Sequence, residues 1–203
     1  MSKTSDAVKK LFDADPLGFA AYETAYFDRP IEFQFVRSAL ELPLNDLRAC
    51  LEMVEYTAGA DYRASSIGWK PTEKIQEMGD KDMMYLLVRQ ADADSRILGF
   101  MSFMFTFDEP PAVEREVVYM YEIHLLHLLR GRGLGSQLIN FLEVAASRCS
   151  VTKTMLTVFA ANEGARRLYE KRGYVKDSCS PEDRKMRKRV IKADYVIMSK
   201  ELA

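Results

Sequence analysis

Arg130-Gly131-Arg132-Gly133-Leu134-Gly135 has the residue types and spacing of an anion cradle. Gly133 and Gly135 permit a backbone path in which successive N–H groups point into one concavity, and an amphipathic stretch beginning near Leu134 follows at once. The first N–H groups of a helix have no intrahelical partner, and the helix dipole favours negative charge there, so phosphate is the chemistry this turn suits. It is not a Walker loop, because no Gly-x-x-x-x-Gly-Lys followed by Ser or Thr occurs in the chain. A dinucleotide fingerprint needs three glycines early in a βαβ unit and an acid about 20 residues on. Here the turn follows several strands and carries two of those glycines in another register. A second chemical feature lies just upstream: Glu122, in Tyr119-Met120-Tyr121-Glu122-Ile123, is a carboxylate among tyrosines. A carboxylate so placed can take a proton directly or through water, or can be a salt-bridged strand residue.

These residues need elements to hold them. The apolar spacing of Val8, Leu11, Phe12, Phe19, Tyr22 and Tyr26 predicts helix over residues 5–27, interrupted at Pro16 and Gly18. Ile31, Phe33 and Phe35 alternate with polar residues as in a short strand, and Pro43, Asn45 and Asp46 open a helix with the stripe Leu44, Leu47, Leu51 and Val54. Residues 59–69 read as a loop ending at Trp69, the only tryptophan, and Pro71-Thr72 starts a short helix to about Met78. Strands are expected over Met83 to Arg89, Ile97 to Phe107 and Glu116 to Leu125, with turns at Asp92-Ala93-Asp94-Ser95 and Glu109-Pro110-Pro111. The glycine turn and a helix to about Arg148 come next. A strand over Thr154 to Phe159, a helix over Asn162 to Arg172 closed by Gly173, and a last strand over Asp194 to Ser199 complete the order. Alternation along the third of those strands places Tyr119 and Tyr121 on one face and Glu122 with Met120 on the other, unless a bulge alters the register.

The 203 residues suit one domain with an extension, 1–30 as a helical arm packed on a core of 31–203. A net charge of −1 gives no global field for nucleic acid or an anionic membrane. The most apolar stretch, Ile97 to Phe107, is broken by Gly99, Ser102 and Thr106 and is too short to span a bilayer, and Met1 to Asp6 lacks a signal-peptide core. Cys50, Cys149 and Cys179 form no C-x-x-C pair, as expected of a reducing compartment without disulfides or structural zinc. His124 and His127 are the only histidines, and no metal site is expected.

The Arg-x-x-Gly-x-Gly spacing, between a strand and a helix, resembles the pyrophosphate loop of the GCN5-related N-acetyltransferases, the GNAT superfamily. The element order over roughly residues 31–200 is similar to their fold, an α/β (α+β) architecture with a mixed twisted sheet of about seven strands flanked by helices. The resemblance implies acetyl-CoA as co-substrate. Backbone groups of Ile123, His124 and Leu125 would pair with the pantetheine arm, and Arg130, Gly131, Arg132, Gly133, Leu134, Gly135 and Ser136 would hold the pyrophosphate. Asn162 would contact the cofactor or simply cap its helix, and Tyr169 would approach the thioester sulfur or be a core aromatic. Glu122, with Tyr121 and Tyr119, would carry the catalysis by direct attack of an amine, without an acyl-enzyme.

Ser65-Ser66-Ile67-Gly68-Trp69, the helix from Pro71, Tyr119-Met120-Tyr121-Glu122, Met155 to Phe159 and Asp194-Tyr195 further resemble the histone-specific N-alpha-acetyltransferases of the NatD family. That implies a nuclear and cytoplasmic enzyme acting on the N-terminal serine of core histone tails beginning Ser-Gly-Arg-Gly, with ribosome association open. An acidic segment before the Tyr-x-Tyr-Glu strand binds the peptide in that family. Thr106-Phe107-Asp108 matches it, although Pro110-Pro111 and a longer turn depart from the pattern. Asp108, Trp69, Tyr121 and Tyr195 would then surround the substrate arginine, supplying charge and aromatic faces. The alternatives are an acetyltransferase of lysine or small amines, and a non-catalytic binding module.

Overall fold

Seven runs of β-forming residues pair into one sheet, whose two faces are covered by different helices. The computed structural model describes residues 3–15, 18–19, 30–108, 110, 112, 114–186 and 189–202. The strands are β1 (Ile31–Val36), β2 (Met84–Gln90), β3 (Ile97–Phe107), β4 (Glu116–Leu125), β5 (Lys153–Phe159), β6 (Val175–Lys176) and β9 (Tyr195–Glu201), in the order β1-β2-β3-β4-β5-β9-β6. Neighbours pair antiparallel except β4 and β5, which run parallel. The helices are α1 (Lys3–Asp13), α2 (Leu44–Ala64), α3 (Pro71–Met78), α4 (Leu134–Arg148) and α5 (Glu163–Lys171). This is the mixed α/β GNAT fold.

One face of the sheet, with Met101, Phe103, Val118 and Met120, packs on α4 through Leu138, Ile139 and Leu142. Val8 and Leu11 of α1 are buried in the same cluster, and the Phe12 ring lies 5.9 Å from Phe35 and 6.2 Å from Phe141. The rest of the helix expected over 5–27, with Tyr22 and Tyr26, falls outside the described residues. The opposite face, with Tyr85, Leu87 and Phe100, packs on Cys50, Met53 and Val54 of α2 and Met78 of α3. Each such side chain contributes roughly 1.5–3 kcal/mol on burial.

One expectation needs correction. Residues 59–64 are not loop: α2 runs through Gly59 to Ala64. Glycine within a helix costs about 1 kcal/mol relative to alanine. Continuing the turn past it buries Tyr62, and Arg63 and Glu55 pair at 3.0 Å across the Gly59 position. The basic run 184–192 contains two three-residue strands, β7 (Arg184–Met186) and β8 (Arg189–Ile191), paired as a separate hairpin.

The register of β4 decides the site. Ser102 of β3 pairs with Glu122, whereas the next residue, Phe103, pairs with Met120, so Tyr121 is an extra residue on β4. This β-bulge breaks strict alternation. Met120 and Ile123 point to the α4 face, while Tyr121 packs on the α2–α3 face. Glu122 also reaches that face, where it bonds to α2 and α3. Glu122 therefore lies with Tyr121, not with Met120.

Candidate active site

β4 and β5 pair at Val118↔Thr154, Tyr119↔Met155 and Met120↔Leu156, and there the pairing ends. Beyond Met120 the edge of β4 that faces β5 has no strand partner among the described residues, and a groove of about 990 Å³ opens there. Ile123, His124 and Leu125 line one wall, Asn162 and Tyr169 another. The glycine turn closes the end. Gly131 (φ 75°) and Gly133 (φ 82°) take the left-handed backbone that glycine tolerates best. Gly133 starts α4 with no side-chain cap among the described residues, which suits the first N–H groups of that helix to meeting an anion.

The residues present fit a phosphate-bearing ligand with an extended arm. A Cβ built at Gly131 would meet nothing within 4 Å, and one at Gly135 would meet only Leu168 and Leu125, at 3.6 and 3.9 Å. The protein's own atoms do not fill the space in front of the turn. Arg130 lines the groove while its Nε donates to the Leu125 carbonyl at 2.8 Å, tying the turn to the end of β4. Arg132 is exposed and does not line the groove. The Asn162 side chain accepts from the Ala165 N–H at 3.1 Å, so it caps α5 as well as lining the groove. Tyr169 is 5% exposed, and burial, then Tyr174 and Glu122, hold its phenol protonated well above the usual range.

A second cavity of about 450 Å³ lies beside the first. Trp69, Thr106, Phe107, Tyr119, Lys74 and Glu77 contribute to its lining. Tyr62, Ile67, Tyr121 and Thr157 line both cavities and form the seam between them. The rings of Tyr119 and Tyr121 are 5.2 Å apart, and Tyr119 shares a 2.5 Å hydrogen bond with Thr157. The loop between α2 and α3 is fastened across the molecule: the Ser66 N–H and hydroxyl bond Asp194 at 2.5 and 3.1 Å.

Glu122 lies beside this seam, 6% exposed. One carboxylate oxygen accepts from the Tyr62 hydroxyl at 3.0 Å and from the Lys74 ammonium at 2.8 Å; the other is 2.6 Å from His124 Nε2. Burial alone would raise the pKa of this group, but the hydrogen bond and charge of His124, then those of Lys74, outweigh it and hold it down at about 2. The other ring nitrogen of His124 is 2.5 Å from the Thr57 hydroxyl, which donates to the Met53 carbonyl at 2.7 Å. Glu122 is thus a fixed anion. Burial opposes the charge of Lys74, but Glu122, then Tyr62 and Glu77, keep it protonated beyond the usual lysine range.

The structure separates two of the expected arginine contacts from the rest. Asp108 is 5% exposed, its carboxylate pairs with Lys153 at 2.6 Å, and it lines neither cavity. Lys153 also holds Asp177 at 2.7 Å, so one buried ammonium joins two carboxylates below β3, β5 and β9. Asp108, Asp177 and Cys179 come close enough to suggest metal ligands, but Lys153 already supplies the cation. The assignment of Asp108 to a substrate arginine is therefore corrected. Tyr195 opens β9 opposite Phe159 and lines neither cavity. Trp69, Thr106, Phe107 and Tyr121 do meet in one pocket. Sequence reasoning missed Tyr62, Lys74, Thr57 and the side chain of His124. Tyr62 was hidden by the assignment of loop at 59–69, and Lys74 by its place in a short polar helix.

The groove, ended by a glycine turn, thus meets a second cavity at a shared seam. Residues 47–174 match the acetyltransferase (GNAT) family, and the chain belongs to that family. Among curated relatives, N-alpha-acetyltransferase 40 of Saccharomyces cerevisiae is 32% identical over 159 residues, 66% of this chain and 53% of that protein. The uncharacterized N-acetyltransferase YycN of Bacillus subtilis is 36% identical over 66 residues, 32% of this chain and 42% of that protein. The chain spans about half the length of these relatives, or less. Among solved structures, Arabidopsis thaliana NAA60 in complex with a bisubstrate analogue superposes with a TM-score of 0.62 at 16% identity, covering 85% of this chain and 99% of that one. The ribosomal-protein-S18-alanine N-acetyltransferase of Escherichia coli gives 0.55 at 18% identity, covering 85% and 95%. Those likenesses concern the fold.

Proposed function

We propose that this protein is an acetyl-CoA-dependent N-alpha-acetyltransferase whose substrate is the N-terminal serine of core histone tails beginning Ser-Gly-Arg-Gly. The observation that carries the reading is the seam: two cavities share Tyr62, Ile67, Tyr121 and Thr157, with Glu122 beside them. The groove suits acetyl-CoA. Its pyrophosphate would meet the N–H groups of the glycine turn and α4, and its arm would run along the free edge of β4 at Ile123 to Leu125. The second cavity suits a peptide terminus carrying an arginine. Trp69, Tyr119, Tyr121 and Phe107 offer ring faces, and Glu73 and Glu77 of α3 offer carboxylates in place of Asp108. The name of the yeast relative supports the α-amine as acceptor, and the likeness of residues 65–69 and 119–122 to the histone-specific enzymes supports the tail. In this reading residues 31–203 form the catalytic domain, residues 1–30 are an extension packed on it, and the enzyme works in cytoplasm and nucleus.

An α-amine ordinarily titrates at about 7.7–8.0 and a lysine side chain at about 10.4, so the α-amine reaches the neutral state far more readily. Glu122 would accept a hydrogen bond from the amine, directly or through water, while the amine attacks the acetyl carbon. The Tyr62 phenol is kept protonated by burial first and by Glu122 second, so it serves as a donor there. Incubation with acetyl-CoA and a Ser-Gly-Arg-Gly peptide tests the proposal. Acetylation is expected at the α-amine, with none on the N-terminally blocked peptide. Replacing the peptide arginine with alanine is expected to lower kcat/KM at least about tenfold, given about 1.4 kcal/mol per factor of ten. Equal acetylation of both peptides would retire the histone assignment, and acetylation of the blocked peptide would point to lysine.

A further inference from the structure

Lys74 lines the peptide-side pocket, yet its ammonium is engaged by Glu122, beside the seam, and by Glu77 of its own helix. It is 12% exposed, 2.8 Å from Glu122 and 2.6 Å from Glu77. Its nitrogen also lies 5.1 Å from the centre of the Tyr62 ring. Among the described residues, the charged groups facing it are Glu122 from β4 and Glu77 from its own helix; Lys70 and Glu73 line the same pocket. His124 engages the far oxygen of Glu122.

An amine reaches an acetyltransferase site mostly as an ammonium ion, and only the neutral form can attack. A lone buried carboxylate at the point of attack would be counterproductive. An opposite charge within about 4–6 Å moves a pKa by roughly 1–3 units toward the charged form, so Glu122 alone would trap the substrate as its ammonium. We propose that Lys74 is a specificity-determining residue of this site: by neutralising Glu122 it denies the substrate's ammonium an ion pair, so that the amine is held in its neutral form. This rests on the N-alpha-acetyltransferase reading above. The arrangement favours amines that lose a proton near neutrality, as α-amines do, over lysine side chains. One proton leaves the ammonium to solvent on binding. The nitrogen lone pair then forms the C–N bond to the acetyl carbon while the C–S bond breaks. The electron pair stays on sulfur, and the proton shed by the acylated nitrogen makes the departing coenzyme a thiol.

The test compares the full-length wild type, Lys74→Met and Lys74→Arg with acetyl-CoA and the Ser-Gly-Arg-Gly peptide from about pH 6 to 10. The pH dependence of kcat reports groups in the bound complex. In Lys74→Met the acid limb of kcat is expected to move up by about one pH unit or more, a loss of about tenfold at pH 7 that disappears at alkaline pH. KM for the peptide at pH 7 is expected to fall, because the freed carboxylate binds the ammonium. Lys74→Arg keeps the charge and is expected to keep the wild-type limb. A merely structural lysine would lower kcat at every pH alike. An unmoved limb in an active Lys74→Met overturns the proposal, and so does a gain of activity below pH 7, which would mean that Glu122 had been released as a base. Should Lys74→Met fail to bind coenzyme A in calorimetry, the wild-type profile decides: a kcat limb at or above the pKa of the free peptide amine also overturns it. If the wild type does not acetylate this peptide at all, the histone reading fails by itself. The same profiles are then read with whichever amine, from a panel of N-terminal tetrapeptides and lysine, the wild type accepts.

Discussion

Tyr121 and Glu122, consecutive in the chain, present their side chains to the same face of the sheet. The bulge that pairs Ser102 with Glu122 and Phe103 with Met120 makes this possible. In a regular strand Glu122 would point at the apolar packing of α4, where an unpaired carboxylate costs several kcal/mol. The extra residue turns it instead toward Tyr62, Lys74 and His124.

Glu122→Gln is expected to lower kcat while leaving acetyl-CoA affinity within about twofold by calorimetry. A positioned proton-transfer group contributes about 10²–10⁴-fold. The low proton affinity of this carboxylate puts the loss at the lower end, near 10²-fold. Unchanged turnover would remove Glu122 from the chemistry.

Glu122 also predicts an acid-sensitivity. Its pKa in the folded protein, about 2, lies below the unfolded value of about 4.3. The carboxylate therefore contributes stability in full above pH 4.3, and the contribution is lost as pH falls toward 2. Urea midpoints of wild type and Glu122→Gln should differ at pH 6 and converge as pH drops through that window. A constant gap would mean that Glu122 is not held as an anion.

Asp108→Asn is expected to destabilise the fold rather than alter substrate choice. Removing one partner of a buried pair costs about 3–5 kcal/mol. Asp177 still holds Lys153, so that range is an upper bound here. The ratio of kcat/KM for the arginine and alanine peptides should stay the same. A selective loss on the arginine peptide, in a protein as stable as wild type, would return Asp108 to the substrate.

Gly135→Glu is expected to abolish coenzyme A binding without unfolding the protein. Its Cβ meets Leu168 and Leu125 at ordinary contact distance, so the backbone accepts it, while the carboxylate points negative charge into the phosphate turn. Normal affinity in calorimetry would disprove the cradle.

Long periodic elements were legible in the sequence, and residue pairings were not. Ile97–Phe107, Glu116–Leu125 and Leu134–Arg148 carry enough β-formers or helical spacing to be bounded from the residues alone. Gly59 misled because glycine usually punctuates, and nothing local announces that Arg63 and Glu55 close over it. Asp108 reads as an exposed turn acid. Its burial depends on Lys153, 45 residues away. Lys74 stands in a helix of charged residues, and its partner Glu122 is 48 positions on. A bulge is a property of two strands at once, so Tyr119-Met120-Tyr121-Glu122 alone could not reveal it.

The seam also bears on how two ligands would share the site. Apart from Tyr62, Ile67, Tyr121 and Thr157, the groove and the pocket have separate linings, so their common wall is those four side chains. On the reading proposed above, donor and acceptor would need to share only that seam. An acceptor peptide would then bring only its first residues to the seam while the nucleotide end of the donor stays in the groove.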